Sequence, residues 1–329
     1  MRELTVISEV VEDIVWLVRR WVIVCFFMSV WGCSGGGNSS SPGVSTSPVP
    51  ELVRKRLDVT YATASAKQKL DLYLPPTGTG PFPLVVWIHG GGWWDGDKLL
   101  PDGAPQFVLL ARGYAVASTN YRFSTEAAFP AQIYDVKAAI RFLRSHAADY
   151  GLDKNRFAVW GSSAGGHLAA LAGTSGGVGA LEDTAQGSPG ESSRVQAVID
   201  WFGPIDFLQL DAEAAADGCS PYDGIGFNSP QSPVSALIGA TITQRPDLVR
   251  AANPITYISA DDPPFFIQHG TRDCSVSAQQ SRLLYDALAP VVGSGRVTLQ
   301  LLSEGHGGPL FDAQANIGKI ADFLSLQLK

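Results

Sequence analysis

Residues Phe157–Trp160, Gly161-Ser162-Ser163-Ala164-Gly165 and Gly166–Ala172 read in turn as an apolar strand, a sharp turn and a helix. Glycines flank the turn because a strand that reverses into a helix crowds its backbone, and residues without Cβ relieve the crowding. The G-x-S-x-G spacing lifts the Ser163 hydroxyl above the end of the strand, at a helix N-terminus where free N–H groups favour developing negative charge. This predicts a nucleophilic serine. Ser162, outside the central position, is expected to be a local packing or hydrogen-bonding residue.

Outward from this turn, short apolar runs alternate with amphipathic stretches. The strands predicted are Lys69–Leu74, Leu84–Ile88, Tyr114–Ser118, Arg156–Trp160, Val195–Trp201, Phe265–His269 and Val297–Leu302. The later ones are near-continuous apolar runs, as for strands covered on both faces. Helices are predicted over Ala131–Tyr150, with Ile133, Val136, Ile140 and Leu143 on one face, and over Ser277–Leu288 and Ala313–Leu328. Such alternation predicts an α/β fold with a mostly parallel central sheet flanked by helices. Two irregular stretches interrupt it, 174–194 and 206–260. The second is a loop or cap insertion after the strand ending near Trp201. Both are expected to form binding loops or lids.

A serine hydroxyl needs a base, and the base needs an orienting acid. In folds built on this turn they follow the nucleophile in the order acid, base. His89 and His146 precede Ser163. His167 lies one helical turn beyond it and would point away, and His269 would need an acid from the insertion. His306, in Ser303-Glu304-Gly305-His306-Gly307-Gly308 after the last strand, is the expected base. Asp273, in His269-Gly270-Thr271-Arg272-Asp273, is the expected acid. Asp261 and Asp262 lie before their strand, and Glu304 is too near His306 in sequence to reach around it. His89-Gly90-Gly91-Gly92-Trp93 directly follows the strand Leu84–Ile88. Three glycines bring bare main chain to a substrate, so the N–H groups of Gly91, Gly92 and Ala164 are the expected oxyanion donors. A phosphate-binding loop would need Lys-Ser/Thr after the glycines, which is absent. His89 is expected to orient the loop.

Seven segments carry a family resemblance: Trp87–Trp93, Asn120–Arg122, Trp160–Leu168, Trp201–Asp206, Asn253–Thr256, His269–Asp273 and Gly305–Gly307. The chain resembles the bacterial α/β-hydrolase esterases related to hormone-sensitive lipase and to acetyl-xylan and feruloyl esterases (BD-FAE-like). The match runs from about Val59 to the C-terminus. Ser162 stands where the hormone-sensitive-lipase branch usually has Asp, which moves the chain toward the feruloyl-esterase-like branch. The resemblance implies hydrolysis of carboxylic esters of short-chain acyl, acetyl or feruloyl type through an acyl-enzyme, with no cofactor and no metal. Trp93, Trp94, Trp201 and Phe202 lie at predicted strand ends and are candidate substrate-binding residues, with core packing equally open for Trp201 and Phe202. Two rivals share the scaffold. Prolyl-oligopeptidase-type serine peptidases usually carry a large extra N-terminal domain. Non-catalytic ligand-binding relatives lack the base histidine, whereas His306 is present here.

The 329 residues are 45% hydrophobic and 17% charged with a formal net charge of -7, the profile of a globular domain without the concentrated basic surface that nucleic acid requires. Arg19 and Arg20, an apolar run from Trp21 to Trp31, then Gly32 and Cys33 resemble a bacterial lipoprotein signal. Its roughly 11 apolar positions fall short of the about 20 a membrane span needs. Glu3, Glu9, Glu12 and Asp13 fit such a signal poorly, so translation is expected to start near Val18. The predicted organisation is therefore a targeting segment over 1–33, a Gly/Ser/Pro linker over 34–50 and a catalytic domain over 51–329, exported and tethered to a membrane by a lipid on Cys33. Cys219 and Cys274 remain, and an oxidising compartment predicts a disulfide between them.

Overall fold

The computed structural model describes residues 54–221 and 224–328. The targeting segment, the linker and Cys33 lie outside the described residues. Eight strands form one sheet: β1 (Arg54–Thr60), β2 (Lys69–Leu74), β3 (Phe82–Ile88), β4 (Ala115–Thr119), β5 (Leu152–Ser162), β6 (Ala197–Trp201), β7 (Phe265–Gly270) and β8 (Val297–Leu302). Their order is β1-β2-β4-β3-β5-β6-β7-β8. β2 pairs antiparallel with β1 and β4, and all other pairs are parallel. The chain leaves β3 toward β4 on one side and leaves β5 toward β6 on the other. Their carboxyl ends therefore flank a topological switch point, where open α/β sheets place their ligands.

Period-two alternation builds a core on each face of the sheet. Leu84, Val86 and Ile88 of β3, with Phe157 and Val159 of β5, pack with Ile133, Val136 and Ile140 of α1 (Ala131–Ser145) and with Leu168 of α2 (Ala164–Thr174). Val85, Trp87, Ala158 and Trp160 face the other way, onto Ile317 and Ile320 of the C-terminal helix Gln314–Gln327. Between β6 and β7 the described residues include the short α-helices α3 (Leu210–Ala216), α4 (Pro233–Ile238) and α5 (Pro246–Ala252); α6 (Ala278–Val292) follows β7.

The structure adds one strand that the sequence reading does not predict and corrects three expectations. β1 carries Arg54, Lys55, Arg56 and Asp58 and is exposed along nearly all its length, so it gives no apolar signal; backbone pairing with β2 alone makes it a strand. β5 begins at Leu152, in a polar run with no apolar periodicity. The helix expected over 131–150 breaks at His146, whose ring Nδ1–H donates to the Phe142 carbonyl (2.9 Å), and only one further turn, Ala147–Tyr150, follows. The 174–194 stretch is no lid. It follows the end of a helix instead of a strand, so it emerges at the end of the sheet opposite Ser163. There it covers α1: Lys137 donates to the Ser175 carbonyl (2.8 Å) and pairs with Glu182 (3.1 Å), Arg141 donates to the Asp183 carbonyl (2.7 Å), and Arg144 to the Lys154 and Arg194 carbonyls (2.9 and 2.7 Å). Burial pulls the Arg144 guanidinium down to about 10, and these carbonyls compensate its desolvation.

The 206–260 stretch does leave the carboxyl end of a strand and lies at the Ser163 end. Gln280 of α6 anchors it: its side-chain oxygen accepts from Ile205 and Asp206 N–H (2.6 and 2.7 Å) and its nitrogen donates to Glu213 (2.7 Å). Cys219 and Cys274 are joined, with Cα atoms 5.4 Å apart across 55 residues of sequence. A cross-link closing a loop of that length contributes about 4 kcal/mol in the chain-entropy picture. It ties the insertion to the loop that holds Asp273.

Candidate active site

Ser163 sits at the β5–α2 turn with φ 55° and ψ −122°, a left-handed conformation that non-glycine residues rarely adopt and that costs on the order of 1–3 kcal/mol. Two hydrogen bonds hold it, from its own N–H to the Trp201 carbonyl (2.8 Å) and from His167 N–H to its carbonyl (3.0 Å). Gly165 is dictated by close approach: a Cβ there would stand 2.0 Å from the Ile88 carbonyl oxygen.

His306 is presented by the loop after β8. Its Nε2 lies 2.8 Å from Ser163 Oγ and its Nδ1 2.6 Å from Asp273 Oδ2. The loops carrying acid and base are laced together, Thr271 N–H donating to the Leu302 carbonyl (2.7 Å) and Arg272 N–H to the Glu304 carbonyl (2.8 Å). Asp273 Oδ1 accepts from Ser275 and Val276 N–H (2.8 and 2.9 Å). Burial alone would push this carboxyl up, but the N–H groups of His269 and His306 outweigh it and hold it well below the usual carboxylate range. An ionised Asp273 places the hydrogen of His306 on Nδ1 and leaves Nε2 free to accept from the serine hydroxyl. The imidazole keeps 25% of its side chain open, so substrate has access. Phe202, at φ 45°, sets its ring 4.7 Å from that of His306 and braces it.

The glycine loop crosses directly beside Ser163: a Cβ on Gly90 would stand 3.2 Å from Ser163 Cβ. The N–H groups of Gly91, Gly92 and Ala164 donate to no protein group among the described residues. Gly91 adopts φ +100°, and a Cβ there would meet the Asp95 carbonyl oxygen at 2.2 Å. Gly91→Ala is therefore expected to displace the loop and lower kcat about 10²–10³-fold with KM little changed, the loss typical of an oxyanion donor. A variant that keeps kcat within a few-fold of wild type would remove the loop from this role.

Tyr121 fixes this loop and was not singled out by sequence reasoning. Its ring stacks on His89 at 4.5 Å and its hydroxyl donates to the His89 carbonyl (3.1 Å), while His89 Nδ1–H donates to the Gly90 carbonyl (2.7 Å). The available signal was the position of Asn120-Tyr121-Arg122 just beyond β4, the neighbour of β3. Of the aromatic candidates, Trp93, Trp201 and Phe202 are buried, at 2%, 3% and 6% exposure. Trp93 packs on His167 and Phe207, and Trp201 Nε1–H donates to Gln268 (2.6 Å), so packing is their role. Trp94 is half-exposed and flanks the glycine loop, its Nε1 3.3 Å from where a Gly92 Cβ would stand. Among the described residues no group of His, Cys, Asp or Glu is disposed to hold a metal ion.

Two buried groups near the turn make stability depend on pH in opposite senses. His167 Nε2–H donates to the Ala252 carbonyl at the end of α5 (2.8 Å), and burial pushes the imidazole down to about 4 from 6.5. Between those values the unfolded chain binds the proton and the folded one does not, so about 3 kcal/mol present above pH 6.5 is lost as pH falls toward 4. Asp200 accepts from Gly203 N–H (3.0 Å), and burial pushes it up to about 6 from 3.8. There the folded chain holds the extra proton, so acid favours folding over roughly the same window. His167→Gln keeps the donor without the titration, and its Tm is expected to fall less than wild type between pH 6.5 and 4.5. Asp200→Asn is expected to fall more. Scanning calorimetry at both pH values checks the pair, and parallel curves for all three proteins would contradict it.

A serine after β5, an aspartate after β7 and a histidine after β8 of a mostly parallel sheet are the arrangement of the α/β hydrolases. Within that class the chain belongs to the BD-FAE family, whose model matches residues 70–288. It is similar to the esterase LipC of Mycobacterium tuberculosis, 31% identical over 76% of this chain and 59% of LipC. Among solved structures it is similar to a bifunctional GH43-CE protein of Bacteroides eggerthii (36% identity, TM-score 0.73, 84% of this chain and 35% of that one). It is also similar to a truncated carbohydrate esterase from gut microbiota (32% identity, TM-score 0.74, 85% of this chain and 98% of that one). The chain spans 57–62% of the length of LipC and two further curated mycobacterial relatives, LipM and LipQ.

Proposed function

We propose that the protein hydrolyses carboxylic esters with Ser163 as nucleophile, His306 as general base and acid, and Asp273 as the acid that orients it. The observation that carries this reading is the 2.8 Å separation between His306 Nε2 and Ser163 Oγ beside three backbone N–H groups that donate to no protein group among the described residues. As Ser163 Oγ attacks the ester carbonyl its hydrogen passes to His306 Nε2, and the carbonyl oxygen becomes an oxyanion held by Gly91, Gly92 and Ala164 N–H. Collapse breaks the bond to the alcohol, which leaves with the proton from Nε2 and leaves an acyl-Ser163. Water then gives a proton to the same nitrogen and attacks the acyl carbon, and collapse breaks the bond to Oγ, which takes the proton back from Nε2 as the acid leaves. A fluorophosphonate probe is expected to label the peptide carrying Ser163 and to abolish hydrolysis of p-nitrophenyl acetate. Labelling elsewhere, or none with hydrolysis intact, would refute the assignment.

The substrate we propose is an acetyl or feruloyl ester on an oligosaccharide. The similarity to a protein described as a carbohydrate esterase supports it, as does the half-exposed Trp94 indole at the glycine loop, which offers a flat apolar wall. A panel of p-nitrophenyl esters of increasing acyl length alongside acetylated xylan distinguishes this from a general short-chain esterase. We further propose export and tethering through a lipid on Cys33, outside the described residues. Cys33→Ser should release the protein from membranes, and an unchanged bound fraction would exclude the tether.

A further inference from the structure

His269, the penultimate residue of β7, takes no part in the proton transfers above, yet its ring is fully buried against the triad carboxylate. Its Nε2 lies 2.9 Å from the Val276 carbonyl and 3.2 Å from Asp273 Oδ2, and its Nδ1 lies 2.7 Å from Ser281 Oγ. Both Nε2 partners can only accept, so Nε2 carries the hydrogen and Nδ1 accepts from the Ser281 hydroxyl. Asp273 Oδ2 thus receives the His306 N–H in front and has the His269 Nε2–H, which bonds the Val276 carbonyl, 3.2 Å behind it, while Oδ1 receives two amides. Ser281 adjoins Gln280 on α6, the residue that anchors the insertion. A side chain meant only to fill the core would not need a ring N–H this close to the one carboxylate that the base depends on.

We propose that His269 is a positioning residue for the esterase reaction: its Nε2–H pins Asp273 Oδ2 in line with His306 Nδ1. Without that donor the carboxylate keeps its amide bonds at Oδ1 but swings at Oδ2, and the imidazole loses its orientation toward Ser163. The proposal rests on the triad reading above.

The test uses His269→Gln, whose amide nitrogen reaches about where Nε2 stands, and His269→Met, which fills the volume without a donor. Each is made in the wild-type and the Asp273→Asn background and assayed with p-nitrophenyl acetate. His269→Gln is expected to keep kcat within about threefold, and His269→Met to lose about 10–50-fold in kcat with KM within about twofold. In the Asp273→Asn background the Met substitution should cost no more than about twofold, because the group it acts through is gone. Equal losses for Gln and Met, or the same loss in both backgrounds, would show a purely structural role and overturn the proposal. Should His269→Met not fold, His269→Asn, whose shorter amide stays near Ser281 and cannot reach Asp273, is expected to show the same kcat loss. If Ser163 takes up the fluorophosphonate and Asp273→Asn alone is inactive while every His269 variant is normal, this proposal fails and the triad reading stands.

Discussion

Ser163→Ala is expected to lower kcat for p-nitrophenyl acetate by about 10⁵–10⁶-fold, the largest effect of any single substitution in the chain. The removed oxygen is the one 2.8 Å from His306 Nε2, and nothing nearby replaces it. Ser162 points its side chain toward Gly90, about 3.5 Å from where a Cβ there would lie, and makes no hydrogen bond to an imidazole among the described residues. The fold should not suffer. Alanine keeps the Cβ, so the strain at φ 55° is unchanged, and the bonds holding the turn come from main-chain atoms. Circular dichroism and Tm should match wild type. Residual hydrolysis, about 10³–10⁴ above water, should survive in the variant because the three amide donors remain. Equal rates for variant and wild type would end the esterase reading.

Asp273→Asn is expected to cost about 10³–10⁴ in kcat, and the direction of the amide explains why so small a change matters. Asp273 Oδ1 accepts from Ser275 and Val276 N–H, so the asparagine oxygen takes that place and its NH₂ occupies the Oδ2 position. A donor now faces His306 Nδ1. The imidazole answers by carrying its hydrogen on Nε2, and a nitrogen so occupied cannot accept the serine proton. The same NH₂ also confronts the Nε2–H of His269, a donor against a donor. Folding should be weakened only modestly, since the amide bonds to the loop persist. The check is kcat against Tm: a fall in activity that follows loss of folded protein, or a loss below tenfold in folded protein, would contradict the tautomer argument.

The strained residues in the site share one cause. Ser163 and Phe202 both carry positive φ, and each is the residue just past the carboxyl end of a strand, β5 and β6. The sheet and the packing of α2 against β3 hold them there, which is why their geometry belongs to the fold and not to their own preferences.

What local sequence determines here is backbone conformation and the apolar face of each element. The glycines at 161 and 165 mark a strand turning into a helix, the run His89–Gly92 marks bare main chain after a strand, and apolar runs mark the parallel strands. Residues 163, 273 and 306 were distinguishable because each lies just past the end of a strand, β5, β7 and β8, in the chain order serine, aspartate, histidine. Tertiary structure decided the rest, because partners distant in sequence leave no local trace. Strand order placed β3 beside β5 and so set the glycine loop against Ser163. Backbone pairing made a strand of the charged residues 54–60. The direction in which α2 runs sent 174–194 to the far end of the sheet, to cover buried cations on α1. Burial turned Trp93 and Trp201 from candidate pocket walls into core. The second imidazole on Asp273 became visible only once β7 had folded back against α6, since four residues of separation say nothing about which way a ring points.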